Sequence, residues 1–223
     1  MARNNSLNCG NVSISTLVLG SYQTNVYVVS NDRDAFVVDP ADDCARIMDA
    51  IRTVAGGKID AIVVTHEHSD HIGALAQLRH ETGAPVIASA IDAPLIEKQQ
   101  KQAAVKLSPA QNKVVDRTVK EGDTVELCGM KWKVLITPGH TKGSMCLYLP
   151  ASENGGERGI LFSGDTLFCG AFGRTDFPGG SMNEMVKSLK RLDTLPSDTL
   201  VFPGHMQFTE IGEEQRGILR RIV

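Results

Sequence analysis

The chain has 223 residues, of which 42% are hydrophobic and 22% charged, with a net charge of −3 at pH 7. Such a composition suits a folded chain with a sizeable core and does not indicate intrinsic disorder. It offers no basic stripe for nucleic acid, and no run reaches the ~20 apolar residues that cross a bilayer.

The length predicts one domain over residues 1–223. Cys9, Cys44, Cys128, Cys146 and Cys169 are scattered and never spaced C-x-x-C. This argues against a disulfide scaffold or a thiolate zinc site and fits a reducing compartment. With no apolar leader at the N-terminus, a cytoplasmic location is expected.

The first residues, Met-Ala-Arg-Asn-Asn, are expected to be a loose start. Val12–Leu19, Asn25–Val29 and Ala35–Val38 are rich in β-branched residues and are separated by Gly20-Ser21 and Asn31-Asp32, which predicts a strand meander. Apolar residues at helical spacing over Cys44–Ala55, halted by Gly56-Gly57, predict a helix. A short apolar strand over Ala61–Thr65, a helix over Ile72–Glu81 stopping at Gly83, and a strand over Val86–Ser89 follow. Between Ala93 and Lys120 the pattern is open, and Lys98–Gln102 suit a solvated helix or a mobile cover over the rest. Asp123–Leu127 and Met130–Ile136 predict a hairpin around Cys128-Gly129, and Ser144–Leu149 and Gly159–Ser163 two more strands. Met182–Leu192 predicts a helix, Asp198–Phe202 the last strand and Glu210–Ile222 a closing helix. Without strict βαβ alternation, the order points to a layered α/β protein rather than a doubly wound sheet.

Four apolar runs end alike. Ala-Ile-Val-Val-Thr leads into His66, Val-Leu-Ile-Thr-Pro-Gly into His140, Ile-Leu-Phe-Ser-Gly into Asp165 and Leu-Val-Phe-Pro-Gly into His205. Each puts a metal-capable side chain just past the carboxyl end of a buried strand, where rigid elements aim groups at one point. Gly139, Gly164 and Gly204 leave room for close backbone approach. The densest segment is His66-Glu67-His68-Ser69-Asp70-His71, an H-x-H-x-D-H pattern. His66 and His68, two apart, share one side of an extended loop, while Asp70 and His71 open the next helix and turn toward the same centre. A lone histidine is ordinarily a structural residue, but five of the six here sit at these turns. Only His80 follows helix periodicity, and it is expected at the surface, with Glu67 exposed. Asp70 also has the chemistry of a helix cap.

H-x-H-x-D-H, Pro138-Gly139-His140-Thr141, Ser163-Gly164-Asp165-Thr166-Leu167-Phe168 and Pro203-Gly204-His205 resemble the metallo-β-lactamase fold superfamily. Thr24–Tyr27, Gly173–Gly180 and Thr209–Glu214 are similar to its small glyoxalase II-like hydrolases. The resemblance runs from Leu17 to Glu214 and implies an αββα sandwich with a metal site at one edge of the two sheets. It implies two divalent ions, one held by His66, His68 and His140, the other by Asp70, His71 and His205. Asp165 would bridge them together with a water or hydroxide, and Asp70 and Asp165 would be the catalytic carboxylates. Asp39, in Val-Val-Asp-Pro, is expected to play a structural rather than an outer-sphere part. The chain departs from the pattern in two respects: Met206-Gln207 stands where Gly-Pro is usual, and the C-terminal helical extension of larger glyoxalase II enzymes is absent from the sequence.

Five imidazoles and two carboxylates suit zinc first, with iron or manganese compatible. The expected reaction is attack of activated water on an acyl thioester, a small-molecule substrate whose thiol leaves without a strong acid. Lys142 and Arg174 are candidates to draw a substrate carboxylate to the mouth of the site, with a solvated turn and a structural salt bridge as their plainer roles. Cys169 is expected to be a packed residue, not a nucleophile. The alternative function is a single-iron, persulfide dioxygenase-like oxidoreductase, to which Gly173–Phe177 is also similar and which would use His66, His140 and Asp165. A β-lactamase is a weaker alternative, since His71 and Asp165 stand where one major lactamase class carries arginine and cysteine. A metal-stabilised binding module would call for a closed, thiolate-rich site.

Overall fold

The computed structural model describes residues 5–103 and 113–222. One sheet has seven strands side by side in chain order: β1 (Asn5–Cys9), β2 (Val12–Leu19), β3 (Thr24–Ser30), β4 (Ala35–Val38), β5 (Ile62–Val64), β6 (Val86–Ser89) and β7 (Arg117–Val119). The first four pair antiparallel and the rest parallel. A second sheet has the spatial order β15 (Thr209–Glu210), β14 (Leu200–Pro203), β11 (Ile160–Gly164), β10 (Met145–Leu149), β9 (Met130–Ile136), β8 (Thr124–Leu127). Its β11–β14 pair is parallel. A short hairpin, β12 (Leu167–Phe168) with β13 (Ala171–Phe172), stands apart.

The period of two along each strand sorts side chains into layers. In β3, Tyr27 and Val29 pack between the sheets, whereas Val26 and Val28 face the helices α1 (Cys44–Ala55), α3 (Leu75–Thr82) and α4 (Ala93–Ala103). In β10, Leu147 and Leu149 point between the sheets, and Cys146 and Tyr148 point to α5 (Met182–Leu192). The result is the expected αββα sandwich. Its centre is aromatic: the Phe162 ring lies 5.1 Å from Tyr27, 5.6 Å from Trp132 and 5.5 Å from Phe202.

Several expectations need correction. Asn5 belongs to a strand paired with β2, so the loose start does not extend to it, and residues 1–4 lie outside the described residues. The helix expected over Ile72–Glu81 is two pieces, α2 (Ser69–Ile72) and α3. Gly73 abuts the Ala41 carbonyl so closely that no Cβ would fit, and the Ala74 N–H donates to Pro40 O rather than within the helix. The closing helix likewise divides at Gly217 into α6 (Ile211–Arg216) and α7 (Leu219–Ile222). In α4, Lys98 and Lys101 are exposed, but Gln100 is buried and donates to the Ile72 carbonyl at 2.9 Å. The stretch 104–112, part of the candidate cover, lies outside the described residues. All five cysteines are free, and no helix among the described residues is long and apolar enough to cross a membrane.

Truncating Phe162 to alanine removes the shared partner of four rings, those of Tyr27, Phe36, Trp132 and Phe202. Chemical denaturation should register a loss of ~3–5 kcal/mol with an unchanged m-value. A loss below about 1 kcal/mol would contradict this packing.

Candidate metal centre

Four strand ends deliver the cluster. His66 follows β5, His140 follows β9, Asp165 follows β11 and His205 follows β14, while Asp70 and His71 lie in α2 and His68 precedes it. Ligand-type atoms of His66, His68 and His140 come within 4.8 Å of one another, as do those of Asp70, His71 and His205, and those of His66, His71 and Asp165. Asp165 stands between the first two sets. Its Oδ2 is 3.4 Å from both His140 Nε2 and His205 Nε2, and its Oδ1 is 3.4 Å from His71 Nε2. The structure thus brings all seven expected side chains to one place.

A ring of outer contacts aims the imidazoles. Nδ1 of His66 meets Thr65 Oγ1 at 3.1 Å and Nδ1 of His71 meets Asp39 Oδ2 at 2.9 Å. Nδ1 of His140 meets the Arg174 carbonyl at 2.7 Å, and Nδ1 of His205 the Tyr22 carbonyl at 3.2 Å. Fixing Nδ1 turns Nε2 inward. His68 is reversed, with its Nδ1 2.8 Å from His140 Nε2. The Thr24–Tyr27 stretch earns its sequence likeness by holding the last loop. Asn25 Nδ2 donates to the carbonyls of Pro203 (2.9 Å) and Met206 (2.7 Å), and the Tyr27 hydroxyl donates to Pro203 O (2.6 Å). At Gly204 any Cβ would strike Asp165 Oδ1 and sit 2.7 Å from His71 Cε1.

Asp39 is more than the structural residue expected. Its Oδ1 accepts from the Thr65 N–H (2.7 Å), and its Oδ2 from Thr65 Oγ1 (2.7 Å) and His71. Asp92 carried no signal in the sequence. Buried, it accepts from Thr141 Oγ1 at 2.7 Å and from the Glu67 N–H at 3.2 Å, tying two histidine-bearing loops together. Glu67 is half-buried rather than exposed, bound to Gln99 Nε2 at 3.0 Å. His80 is exposed, as expected.

Burial works against charge on His66, His68, His71 and His205, and the neighbours decide the outcome. His66 is pushed well below its usual range by burial and by His71, and His68 falls to about 4 through burial and His140. His71 and His205 go the other way. Burial is outweighed by Asp165 and Asp39 for His71, and by Asp165 and Asp70 for His205, which rises to about 10. Asp70 and Asp165 are held low despite burial, the first chiefly by His205 and the second chiefly by His71.

The cluster floors a cleft of about 950 Å³ walled by Tyr22, Phe168, Phe172, Phe177 and Met206. Sequence reasoning did not assign this wall, although the Met206-Gln207 departure was its one visible sign. Met206 has φ +68, a left-handed conformation that costs a non-glycine residue roughly 1–2 kcal/mol. Arg174 lines the cleft, but its Nε and Nη2 bind both carboxylate oxygens of Asp176 at 2.7 Å, and Cζ sits 3.9 Å over the Phe177 ring. Lys142 is not at this mouth. It is exposed and lines a separate depression with Gly179, Ser181 and Glu184, because the turn after His140 carries it outward. Cys169 is partly buried, its Sγ accepting from Gln207 Nε2 at 3.3 Å.

An αββα sandwich with histidines and aspartates at its strand ends defines a class of metal-dependent hydrolases. The model of the metallo-beta-lactamase superfamily matches residues 19–205, and the chain belongs to that superfamily. An uncharacterized protein of Aquifex aeolicus is 35% identical, covering 91% of this chain and 93% of its own length. A hydroxyacylglutathione hydrolase of Synechococcus is 37% identical over 78% of this chain, which spans only 60% of that relative. The hydroxyacylglutathione hydrolase GloC of Haemophilus influenzae is 30% identical, covering 92% and 96%. Among solved structures, the BLEG-1 B3 metallo-beta-lactamase is similar with TM-score 0.77 at 29% identity, covering 91% of this chain and 96% of its own. TTHA1623 in a di-iron-bound form gives 0.72 at 34%, covering 90% and 96%. ETHE1 from Myxococcus xanthus gives 0.69 at 30%, covering 91% and 81%.

At pH 7 the metal-free protein keeps His205 protonated, since its pKa is raised to about 10, and a ligating imidazole must be neutral. Loading with zinc should therefore release protons, measured as a calorimetric enthalpy that varies with the ionisation enthalpy of the buffer, and His205→Ala should lower the count by about one. Identical counts in both proteins would contradict this. Asp39→Asn should weaken metal retention by about 10–100-fold while far-UV dichroism stays unchanged.

Proposed function

We propose that the protein is a glyoxalase II-like thioester hydrolase built around two divalent cations. The observation that carries this reading is a set of orphaned atoms. His66 Nε2, His71 Nε2 and Asp165 Oδ1 are buried without a hydrogen-bond partner, each within the cluster. Leaving one such atom unsatisfied costs ~1–3 kcal/mol, so three in one spot fit cations well. The all-N/O donor set suits zinc, and equally iron or manganese. His66, His68 and His140 would hold one ion, Asp70, His71 and His205 the other, with Asp165 shared. When bound, the pair supplies a water acidic enough to act as a nucleophile near neutral pH and a Lewis acid for the acyl oxygen.

The chain's own groups do the rest. Asp70 and Asp165, whose carboxyls are held below the usual range already in the metal-free protein, are the acceptors that orient the attacking water. The aromatic wall seats the acyl compound over them. Beyond the ligand set, the titratable side chains lining the cleft among the described residues are Tyr22, Glu67 and the Asp176-bound Arg174. A leaving group that departs unprotonated is favoured, and a thiol with pKa near ~8.5 does so where an amine does not. The unpaired thiols support a cytoplasmic setting.

The rival reading, a single-iron oxidoreductase of the persulfide dioxygenase kind, has the likeness to ETHE1 in its favour. It needs only His66, His140 and Asp165 and leaves the assembled Asp70, His71 and His205 without employment. Protein of measured metal content, assayed against a panel of acyl thioesters and against glutathione persulfide with an oxygen electrode, separates the two. Thioester cleavage, reduced by more than about 100-fold in His68→Ala with the fold intact, is expected. Oxygen consumption with one iron per chain would reverse the assignment.

A further inference from the structure

The cleft wall carries information about substrate that the metal-facing floor does not. Three of its apolar side chains are openly presented to solvent: Tyr22 is 73% exposed, Met206 55% and Phe177 41%. None of the three is used to fill the core. Met206 in addition sits at φ +68, a backbone state that disfavours every side chain but glycine's, with its carbonyl pinned by Asn25 Nδ2. Strained backbone gathers at ligand-binding places, and Met206 lies on the cleft with its side chain turned to solvent rather than into the core.

Charge points the same way. Arg174 is the single lysine or arginine among the described residues lining the cleft, and its Nε and Nη2 are held by Asp176 while its Cζ lies over the Phe177 ring. Lys142 faces the other depression. Glu67 adds an acidic group to the wall. Among the described residues, a thiol carrying two carboxylates would meet one guanidinium here, already paired with a carboxylate.

We propose that the cleft selects acyl thioesters with an extended, uncharged apolar arm, seated against Tyr22, Met206 and Phe177, in preference to thioesters of a dicarboxylate peptide thiol. The proposal rests on the thioester hydrolase reading above and adds the chemical class of its substrate. Met206 is the specificity-determining residue: it lines the cleft directly after His205, in the loop that carries that histidine.

Two measurements on one metal-loaded preparation test this. The first is calorimetric binding of thioether analogues, which lack the scissile carbonyl: S-butyl to S-octyl N-acetylcysteamine, and the same alkyl series on glutathione. The second is hydrolysis of the matching acyl thioesters. Affinity in the neutral series should rise about fourfold per methylene until the wall is filled, with a negative heat-capacity change, and the glutathione series should bind no tighter at equal chain length. In Met206→Gly, whose backbone accepts the left-handed turn, the rise per methylene should flatten while the thermal midpoint does not fall. Tenfold tighter binding of the glutathione series, or affinity independent of chain length, would overturn the apolar arm. An unchanged slope in Met206→Gly would overturn the role of that residue. Chain-length-dependent binding with no thioester cleaved would uphold the apolar arm and sink the hydrolase reading, whereas cleavage with a preference for the dicarboxylate thiol would do the reverse.

Discussion

The carboxylate of Asp39 holds the centre of this molecule together. It lies just past β4, accepts from both the N–H and the hydroxyl of Thr65 just past β5, and takes the Nδ1 of His71 as its third partner. Thr65 then reaches onward: its hydroxyl oxygen meets His66 Nδ1 and its carbonyl accepts the Met145 N–H of the opposite sheet. One buried acid therefore sets the spacing of two strand ends, the docking of the second sheet and the aim of two histidines. Buried carboxylates are costly unless fully hydrogen-bonded, and this one has three donors at 2.7–2.9 Å.

What Asp39 positions is a cluster that resists its own assembly. Five imidazoles and two carboxylates crowd within a few ångströms, and their protonation equilibria diverge accordingly, His66 and His68 driven down and His71 and His205 up. The sandwich tolerates this because the frustration is local. The inter-sheet aromatic core and the helix-covered layers are apolar and closely packed, so their stability underwrites an edge that is electrostatically tense until cations enter. Preorganisation of this kind keeps the donors aimed before anything binds.

Most strands were legible because buried apolar runs flanked by glycine, proline or aspartate have few other readings, and Val12–Leu19, Ala35–Val38, Val86–Ser89 and Met130–Ile136 agree residue for residue. The meeting of His66, His140, Asp165 and His205 was legible for a related reason: each follows such a run directly. What escaped depends on contacts between distant segments. The helix break at Gly73 is made by the Ala41 carbonyl, and the burial of Gln100 by the Ile72 carbonyl. Asp92 ties two loops far apart in the chain, and Lys142 turns outward. The two-residue strands β12 and β13 are too short to leave a pattern, and the cleft wall gathers aromatic residues that are separate in the chain.

In the proposed centre seven side chains serve two ions through one shared carboxylate. Crystals of the protein saturated with zinc, with anomalous scattering recorded at the zinc edge, address it directly. Two full peaks are expected, one against His66, His68 and His140 and one against Asp70, His71 and His205, with Asp165 touching both. A single peak at saturating metal, with the Asp70, His71 and His205 side chains turned apart, would contradict it.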